Sequence, residues 1–191
     1  AGESSISTLR AIVENDELEK SFLVKYAAAR ALITQLNDRW GFLLLQERNP
    51  DLVLKRPEVS RDLLLLQGLA FVRSRDYQGA VREFRKVVDE YPFDFEGNYH
   101  LGFSFLLLKN YAKAIHHFEI AARINPEDEL THYNLACACS LAGQPEKALE
   151  ALEKSVEAGF NDPDHMENDE DLDPIRKLDG YKRILQLCRE R

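Results

Sequence analysis

The chain has 191 residues, 45% of them hydrophobic and 30% charged, a composition typical of a folded domain or a short repeat array. Asp and Glu total 33 against 25 for Lys and Arg, and the resulting net charge of -8 disfavours a surface that follows nucleic-acid phosphates. The longest leucine runs, 43–45 and 63–66, are far shorter than the ~18 apolar residues of a membrane span. We therefore predict no nucleic-acid partner and no membrane span. Three cysteines in a chain of this length indicate a reducing, cytoplasmic compartment rather than a disulfide framework.

Residues 1–60 show the spacing of amphipathic helices. Apolar residues recur there at helical intervals: Leu18, Phe22, Tyr26, Ala29, Ile33 and Leu36. This spacing predicts one long helix, and shorter helices are predicted over 6–13 and 40–46. Residues 48–60 contain Pro50 and Pro57 and are predicted to form a connector.

A period of 34 residues begins at residue 61. At this offset a small residue recurs on one helix and a large apolar residue on the next: Gly68, Gly102 and Ala136, then Phe84, Phe118 and Leu152. The small residues permit close approach of two helices, and the large ones fill the space between helix pairs. Pro92 and Pro126 are predicted to end second helices, because proline cannot donate the helical hydrogen bond. The period therefore predicts three helical hairpins, at 61–94, 95–128 and 129–162.

The residues at the recurring positions form a known signature. The first unit carries Leu64, Gln67, Gly68, Phe71, Ala80, Phe84 and Pro92, and the second carries Asn98, Leu101, Gly102, Phe105, Ala114, Phe118 and Pro126. The third carries His132, Leu135, Ala136, Cys139, Ala148 and Leu152, with Phe160 at the proline position. The pattern resembles the tetratricopeptide repeat (TPR) family. The resemblance implies an all-α, right-handed α-solenoid of three TPR hairpins, with the N-terminal helices of 1–60 packing on the first repeat.

Residues 163–191 begin with an acidic run and end in an amphipathic segment. Tyr181, Ile184, Leu185 and Cys188 recur there at helical spacing. The segment is similar to the closing segment found after the last repeat of many TPR proteins, which implies an acidic C-terminal helical cap. Asp173 before Pro174 is predicted to start the helix of this cap.

No group of residues in the sequence points to catalysis, a cofactor or a metal. Aligned with an EF-hand, the acidic run 169–173 places Pro174 where glycine is required and Gly180 where the bidentate glutamate belongs. The histidines lack the spacing of a zinc site, and the sequence has no phosphate loop or nucleophile elbow. Cys137 and Cys139 are two apart on a predicted helix, so they cannot form a disulfide with each other there. We predict a protein that is not an enzyme and has no cofactor and no metal.

The TPR resemblance implies that the first helix of each unit lines a concave groove. The repeat register assigns to that partner-binding groove Asp62, Leu65, Leu69, Val72, Glu96, Tyr99, Phe103, Leu106, Leu130, Tyr133, Asn134 and Cys137. Most are apolar, and exposed contiguous apolar surface usually marks a binding site or a covered one. Either a partner segment occupies the groove, or the chain's own N-terminal region does. Cys137 is predicted to be accessible there, whereas Cys139 takes a buried position of the repeat.

The best-known ligand mode of the TPR family is a basic clamp on the C-terminal carboxylates of heat-shock chaperones. The clamp needs Lys and Asn on the first unit, Asn on the second, and Lys and Arg on the third. The matching residues here are Leu65 and Leu69, His100, and Leu130 and Asn134. Because none of them is Lys or Arg, the charge-assisted grip on a carboxylate is missing.

We predict a non-catalytic scaffold or adaptor that binds a protein or peptide segment through the groove. Asp62 and Glu96 at the rim favour a ligand that carries Lys or Arg nearby. One alternative is a chaperone that shields an apolar client segment, since the architecture is similar to that of type III secretion chaperones. Another is a structural or homo-oligomerisation module whose groove is filled by its own helix or a neighbour's.

Overall fold

A computed structural model describes residues 57–191, with side chains from Ser60 onwards. The helices predicted for 1–56 lie outside the described residues. The chain divides into two compact units, 1–87 and 88–191. Over the described residues it is built from helices and turns without a β-strand, which confirms the predicted all-α class. No helix of residues 57–191 combines the length and the apolar character that a membrane crossing requires.

The described part of the first unit is a helical hairpin. Helix α1 is Pro57–Arg73 and helix α2 is Tyr77–Glu90, whose last residues pass the boundary between the units. Helix α1 begins inside the predicted connector, with proline in the first turn where its missing N–H costs no bond. A Cβ on Gly68 would lie 2.3 Å from the ring of Phe84, which is fully buried. The small and large residues of the repeat therefore meet as predicted.

The second unit contains two further hairpins. Their helices are α3 Phe95–Leu107, α4 Tyr111–Ile124, α5 Glu129–Leu141 and α6 Pro145–Ala158. Side chains of Asp94, Asn110 and Asp128 accept hydrogen bonds from backbone N–H groups of the first turns of α3, α4 and α5. Helix α4 ends two residues before Pro126 and helix α2 two residues before Pro92, as predicted.

The repeat register also sets the packing inside the second unit. A Cβ on Gly102 would lie 3.0 Å from Phe118, and both Phe118 and Leu152 are fully buried. Helix α6 ends at Ala158 because Gly159 adopts φ 125°, a conformation that favours glycine. Glycine here takes over the role that proline has after the earlier repeats.

The C-terminal segment is helical but begins differently from the prediction. It contains α7 Pro163–Asn168, a 3₁₀ turn Glu170–Leu172 and α8 Asp179–Arg189. The prediction that Asp173 and Pro174 start the last helix is wrong, since residues 173–177 form successive turns. These turns place Ile175 in the core, where it is 1% exposed, and its burial overrides the local capping signal.

Helix α8 packs on α6. Its apolar side chains Tyr181, Ile184, Leu185 and Cys188 are all buried. The hydroxyl of Tyr181 donates a hydrogen bond of 2.7 Å to the carbonyl oxygen of Met166, which ties α8 to α7. Arg183 on α8 pairs with Glu153 on α6 at 3.2 Å. The C-terminal segment is therefore part of the folded second unit.

Candidate functional site

A cleft of about 820 Å³ lies within the second unit, between α3, α5 and residues 160–171; we call it the inner cleft. Seven of the predicted groove residues line it: Tyr99, Phe103, Leu106, Leu130, Tyr133, Asn134 and Cys137. Glu96 belongs to the same unit and is exposed, but it does not line the inner cleft. Seven of the twelve residues that the register selects therefore line one cavity, and their part in binding stays a prediction.

The other four predicted groove residues lie on α1, in the first unit. Leu65 is buried, whereas Asp62, Leu69 and Val72 are half-buried. Arg61 donates a hydrogen bond of 2.9 Å to the carboxylate of Asp62. Their part in a binding groove stays a prediction.

One side of the inner cleft is apolar and open to solvent. Leu107 is 37% exposed and Leu130 is 47% exposed, and Phe103, which also lines the cleft, is half-buried. We call these three residues the apolar wall. Exposed large apolar side chains that line one cavity often mark a binding site.

Tyr99 and Asn134 connect the two helices behind the apolar wall. The side-chain amide of Asn134 on α5 donates a hydrogen bond of 3.0 Å to the hydroxyl oxygen of Tyr99 on α3. The Tyr99 ring packs edge-on against Phe118 at 6.0 Å between centroids. Burial, and then the charge of Asp128, raise the pKa of the Tyr99 hydroxyl. These contacts hold the floor of the inner cleft in place.

The other end of the inner cleft is covered by the chain's own C-terminal segment. The Tyr133 ring stacks on Phe160 at 4.5 Å, and its hydroxyl donates a hydrogen bond of 2.8 Å to Asp169. The Cys137 thiol also donates to Asp169, at 3.6 Å. Tyr133 is 4% exposed and Cys137 is 2% exposed, so the prediction of an accessible Cys137 is wrong. Cys139 is buried, as predicted.

The segment that covers Tyr133 and Cys137 was not foreseen as part of the site. In the sequence, Phe160 is notable only because it replaces the proline of the repeat, and Asp169 only as part of an acidic run that does not match an EF-hand. No periodic signal relates residues 36 positions apart such as Tyr133 and Asp169. The sequence suggested only the N-terminal region as a part of the chain that could fill the groove, and not the C-terminal segment.

Four carboxylates also line the inner cleft: Asp162, Asp169, Glu170 and Asp171, which we call the acidic wall. The backbone N–H of Asp171 donates a hydrogen bond of 3.0 Å to Asp169 Oδ1, which brings the two side chains together. Burial, and then the charges of Asp169 and Glu170, raise the pKa of Asp171. Lys109 is the one Lys or Arg among the described residues that line the inner cleft.

Cys137, Asp169 and Asp171 offer donor atoms that all lie within 4.8 Å of one another, the spacing of a metal site. Burial, and then the Asp169 charge, raise the pKa of Cys137 well above its ordinary value, so the sulfur is a protonated thiol that donates to Asp169. Tyr133 donates to the same carboxylate. The group is therefore a complete hydrogen-bonded cluster, and the absence of a metal stays a prediction.

A second cleft of about 810 Å³ lies between α4 and α6, on the side away from the inner cleft. Charged residues of both signs line it, and they pair with each other. Lys147 lies 3.8 Å from Glu119, and Lys154 lies 2.7 Å from Glu150. Glu127 and Glu157 also line this cleft, but none of the predicted groove residues does, so it is the weaker candidate.

Comparisons with known proteins place the repeats in a family. The tetratricopeptide repeat model matches residues 65–129, and a second model, an A/B hydrolase-like N-terminal domain, matches residues 106–191. A chloroplastic protein of Arabidopsis thaliana is 30% identical over 88 residues, which are 44% of this chain and 26% of the plant protein. The match thus covers about a quarter of the length of that relative.

Solved structures share the fold. A MamA chain from Desulfovibrio magneticus RS-1 is 21% identical, with a TM-score of 0.61, and the match covers 100% of this chain and 99% of that one. A complex of CopN and Scc3 matches with 22% identity and a TM-score of 0.52, over 66% of this chain and 68% of that chain. Identities at this level establish the fold and nothing more.

The hydrolase-like match raises the question of a serine nucleophile. Residues 106–191 contain two serines, Ser140 and Ser155, and both are buried. The Ser155 hydroxyl donates a hydrogen bond of 2.8 Å to the carbonyl oxygen of Glu129. Neither serine is placed as the exposed nucleophile that acyl transfer requires.

The 34-residue period, the helical hairpins with their glycine and phenylalanine contacts, and the family match over residues 65–129 all agree. Residues 65–129 therefore consist of tetratricopeptide repeats.

Proposed function

We propose that the protein is a non-catalytic interaction module that binds a peptide segment of a partner protein in the inner cleft. The observation that carries the proposal is the apolar wall. Of the five large apolar side chains that are exposed among the described residues, two, Leu107 and Leu130, line this one cavity. A partner side chain seated there would remove them from water, at a gain of roughly 25 cal/mol per Å².

The proposed binding region is shorter than the groove that the register predicts. Tyr133 and Cys137 already contact Phe160 and Asp169, so a partner would reach the apolar wall but not these two residues of α5. The C-terminal segment then has two roles. It covers the last repeat, and it supplies one side of the binding cleft.

Alanine variants of the apolar wall test the proposal. Leu107→Ala and Leu130→Ala in the full chain are expected to lose the partners that the wild-type chain captures, as identified by mass spectrometry. Phe93→Ala and Ile124→Ala are matched controls, because both residues are exposed apolar side chains of the same unit outside the inner cleft. Identical capture by all four variants would contradict the proposal. A client range limited to unfolded apolar segments would favour the chaperone alternative.

A further inference from the structure

We propose that the segment bound in the inner cleft carries a Lys or Arg side chain next to large apolar ones, and that the acidic wall holds this cation. The inference rests on the proposed function and specifies its partner. The apolar wall and the acidic wall face the same cavity, so one segment contacts both.

The first argument is charge complementarity. The inner cleft is lined by four carboxylates and by one ammonium group, that of Lys109. Several acidic residues elsewhere in the second unit form ion pairs: Glu150 with Lys154, Glu153 with Arg183, Glu167 with Arg189, and Asp173 with Arg176. Among the described residues, no Lys or Arg forms such a pair with Glu170 or Asp171. Glu170 and Asp171 therefore present carboxylates without an ion pair to the inner cleft.

The second argument is that the acidic wall is held in position before any ligand binds. Asp169 accepts hydrogen bonds from the Tyr133 hydroxyl and, through Oδ1, from the backbone N–H of Asp171. Asp171 is half-buried beside Asp169, and burial together with the charges of Asp169 and Glu170 raises its pKa, which means that the ionised carboxylate is disfavoured. A cation at this point relieves the repulsion, and charges in a partly buried site interact more strongly than charges in water.

The third argument concerns size and shape. A cavity of about 820 Å³ is large for one side chain and matches a site that takes several. Lys and Arg lay their aliphatic stems along apolar surface while the charged head reaches a polar group. A basic side chain that crosses from the apolar wall to the acidic wall satisfies both requirements. A polar cation without apolar neighbours would leave Leu107 and Leu130 exposed.

Selection from a random dodecapeptide display library on the immobilised full chain tests the inference. The selected peptides are expected to contain Lys or Arg close to a large apolar residue. A selected peptide, synthesised with a fluorescent label, should bind at least tenfold more weakly by anisotropy when its basic residue is replaced by Gln. A double variant of the chain, Glu170→Gln with Asp171→Asn, should lose this tenfold difference between the basic peptide and its Gln variant. A control double variant, Glu146→Gln with Asp164→Asn, removes the same number of charges from exposed positions outside the cleft. This control should keep the tenfold discrimination.

The outcomes separate the inference from the proposed function. Peptides that need Leu130 but bind equally well with Gln in place of the basic residue overturn the cationic anchor and leave the proposed function standing. If no peptide is selected, or if Leu107→Ala and Leu130→Ala leave binding unchanged, both fail. A wild-type chain that elutes as a dimer on size exclusion, and as a monomer after Leu130→Ala, assigns the inner cleft to a second copy and overturns the inference.

Discussion

Replacing Tyr133 by alanine measures how firmly the C-terminal segment covers the last repeat. Tyr133 is 4% exposed, its ring lies 4.5 Å from that of Phe160, and its hydroxyl donates to Asp169. Truncation of a buried aromatic side chain to alanine costs about 3–5 kcal/mol of unfolding free energy. Tyr133→Phe keeps the ring and removes the hydrogen bond to a carboxylate, a loss of about 1.5–3 kcal/mol. The difference between the two variants reports the stacking on Phe160.

Phe103→Ala is the matched comparison for this experiment. Phe103 is half-buried in the inner cleft, so its truncation is expected to cost only about 1–1.5 kcal/mol. The measurement is urea denaturation of the full chain, followed by far-UV circular dichroism, with the slope of the transition compared between variants. If Tyr133→Ala costs no more than Phe103→Ala, the C-terminal segment does not cover Tyr133 and the geometry of the inner cleft described above is wrong.

Four further outcomes are expected. Deletion of residues 163–191 should lower the melting temperature and promote association on size exclusion, because it exposes Tyr133 and other apolar surface; an equally stable monomer would contradict this. Gly68→Ala should destabilise the chain by about 1–3 kcal/mol in urea denaturation, and more than Gly102→Ala, because its Cβ lies closer to the facing phenylalanine ring. A peptide that ends in Glu-Glu-Val-Asp should show no saturable binding by calorimetry, since the basic clamp residues are missing. Asp171→Asn should unfold at no lower urea concentration than the wild-type chain at pH 7.

The helical hairpins were predictable because their determinants repeat along the chain. A glycine on one helix and a phenylalanine sixteen residues later must meet if the hairpin closes, and Gly68 with Phe84 and Gly102 with Phe118 do meet. Proline positions and the size of side chains are properties of single residues. They can therefore be interpreted without knowledge of distant contacts.

The covered end of the inner cleft was not predictable in the same way. The contacts of Tyr133 with Phe160 and Asp169 join residues far apart in sequence, and no periodicity marks them. The start of the last helix was wrong for a related reason. The local capping signal at Asp173 and Pro174 is weaker than the burial of Ile175, which only the folded unit reveals.

The expected behaviour of Asp171→Asn follows from the direction of its pKa shift. Burial and the neighbouring carboxylates raise the pKa of Asp171 in the folded chain above its unfolded value. A raised carboxyl pKa favours folding below the unfolded pKa, and this contribution is lost as the pH rises through the folded pKa. At pH 7 the ionised carboxylate therefore opposes folding, and a neutral asparagine of the same shape removes that opposition. Thermal denaturation of both chains between pH 3 and pH 7 should show the melting temperature of the variant rising relative to that of the wild type as the pH rises. A variant that is less stable than the wild type at pH 7 would mean that Asp171 has a stabilising partner, and the acidic wall would then have no unpaired charge there to hold a cation.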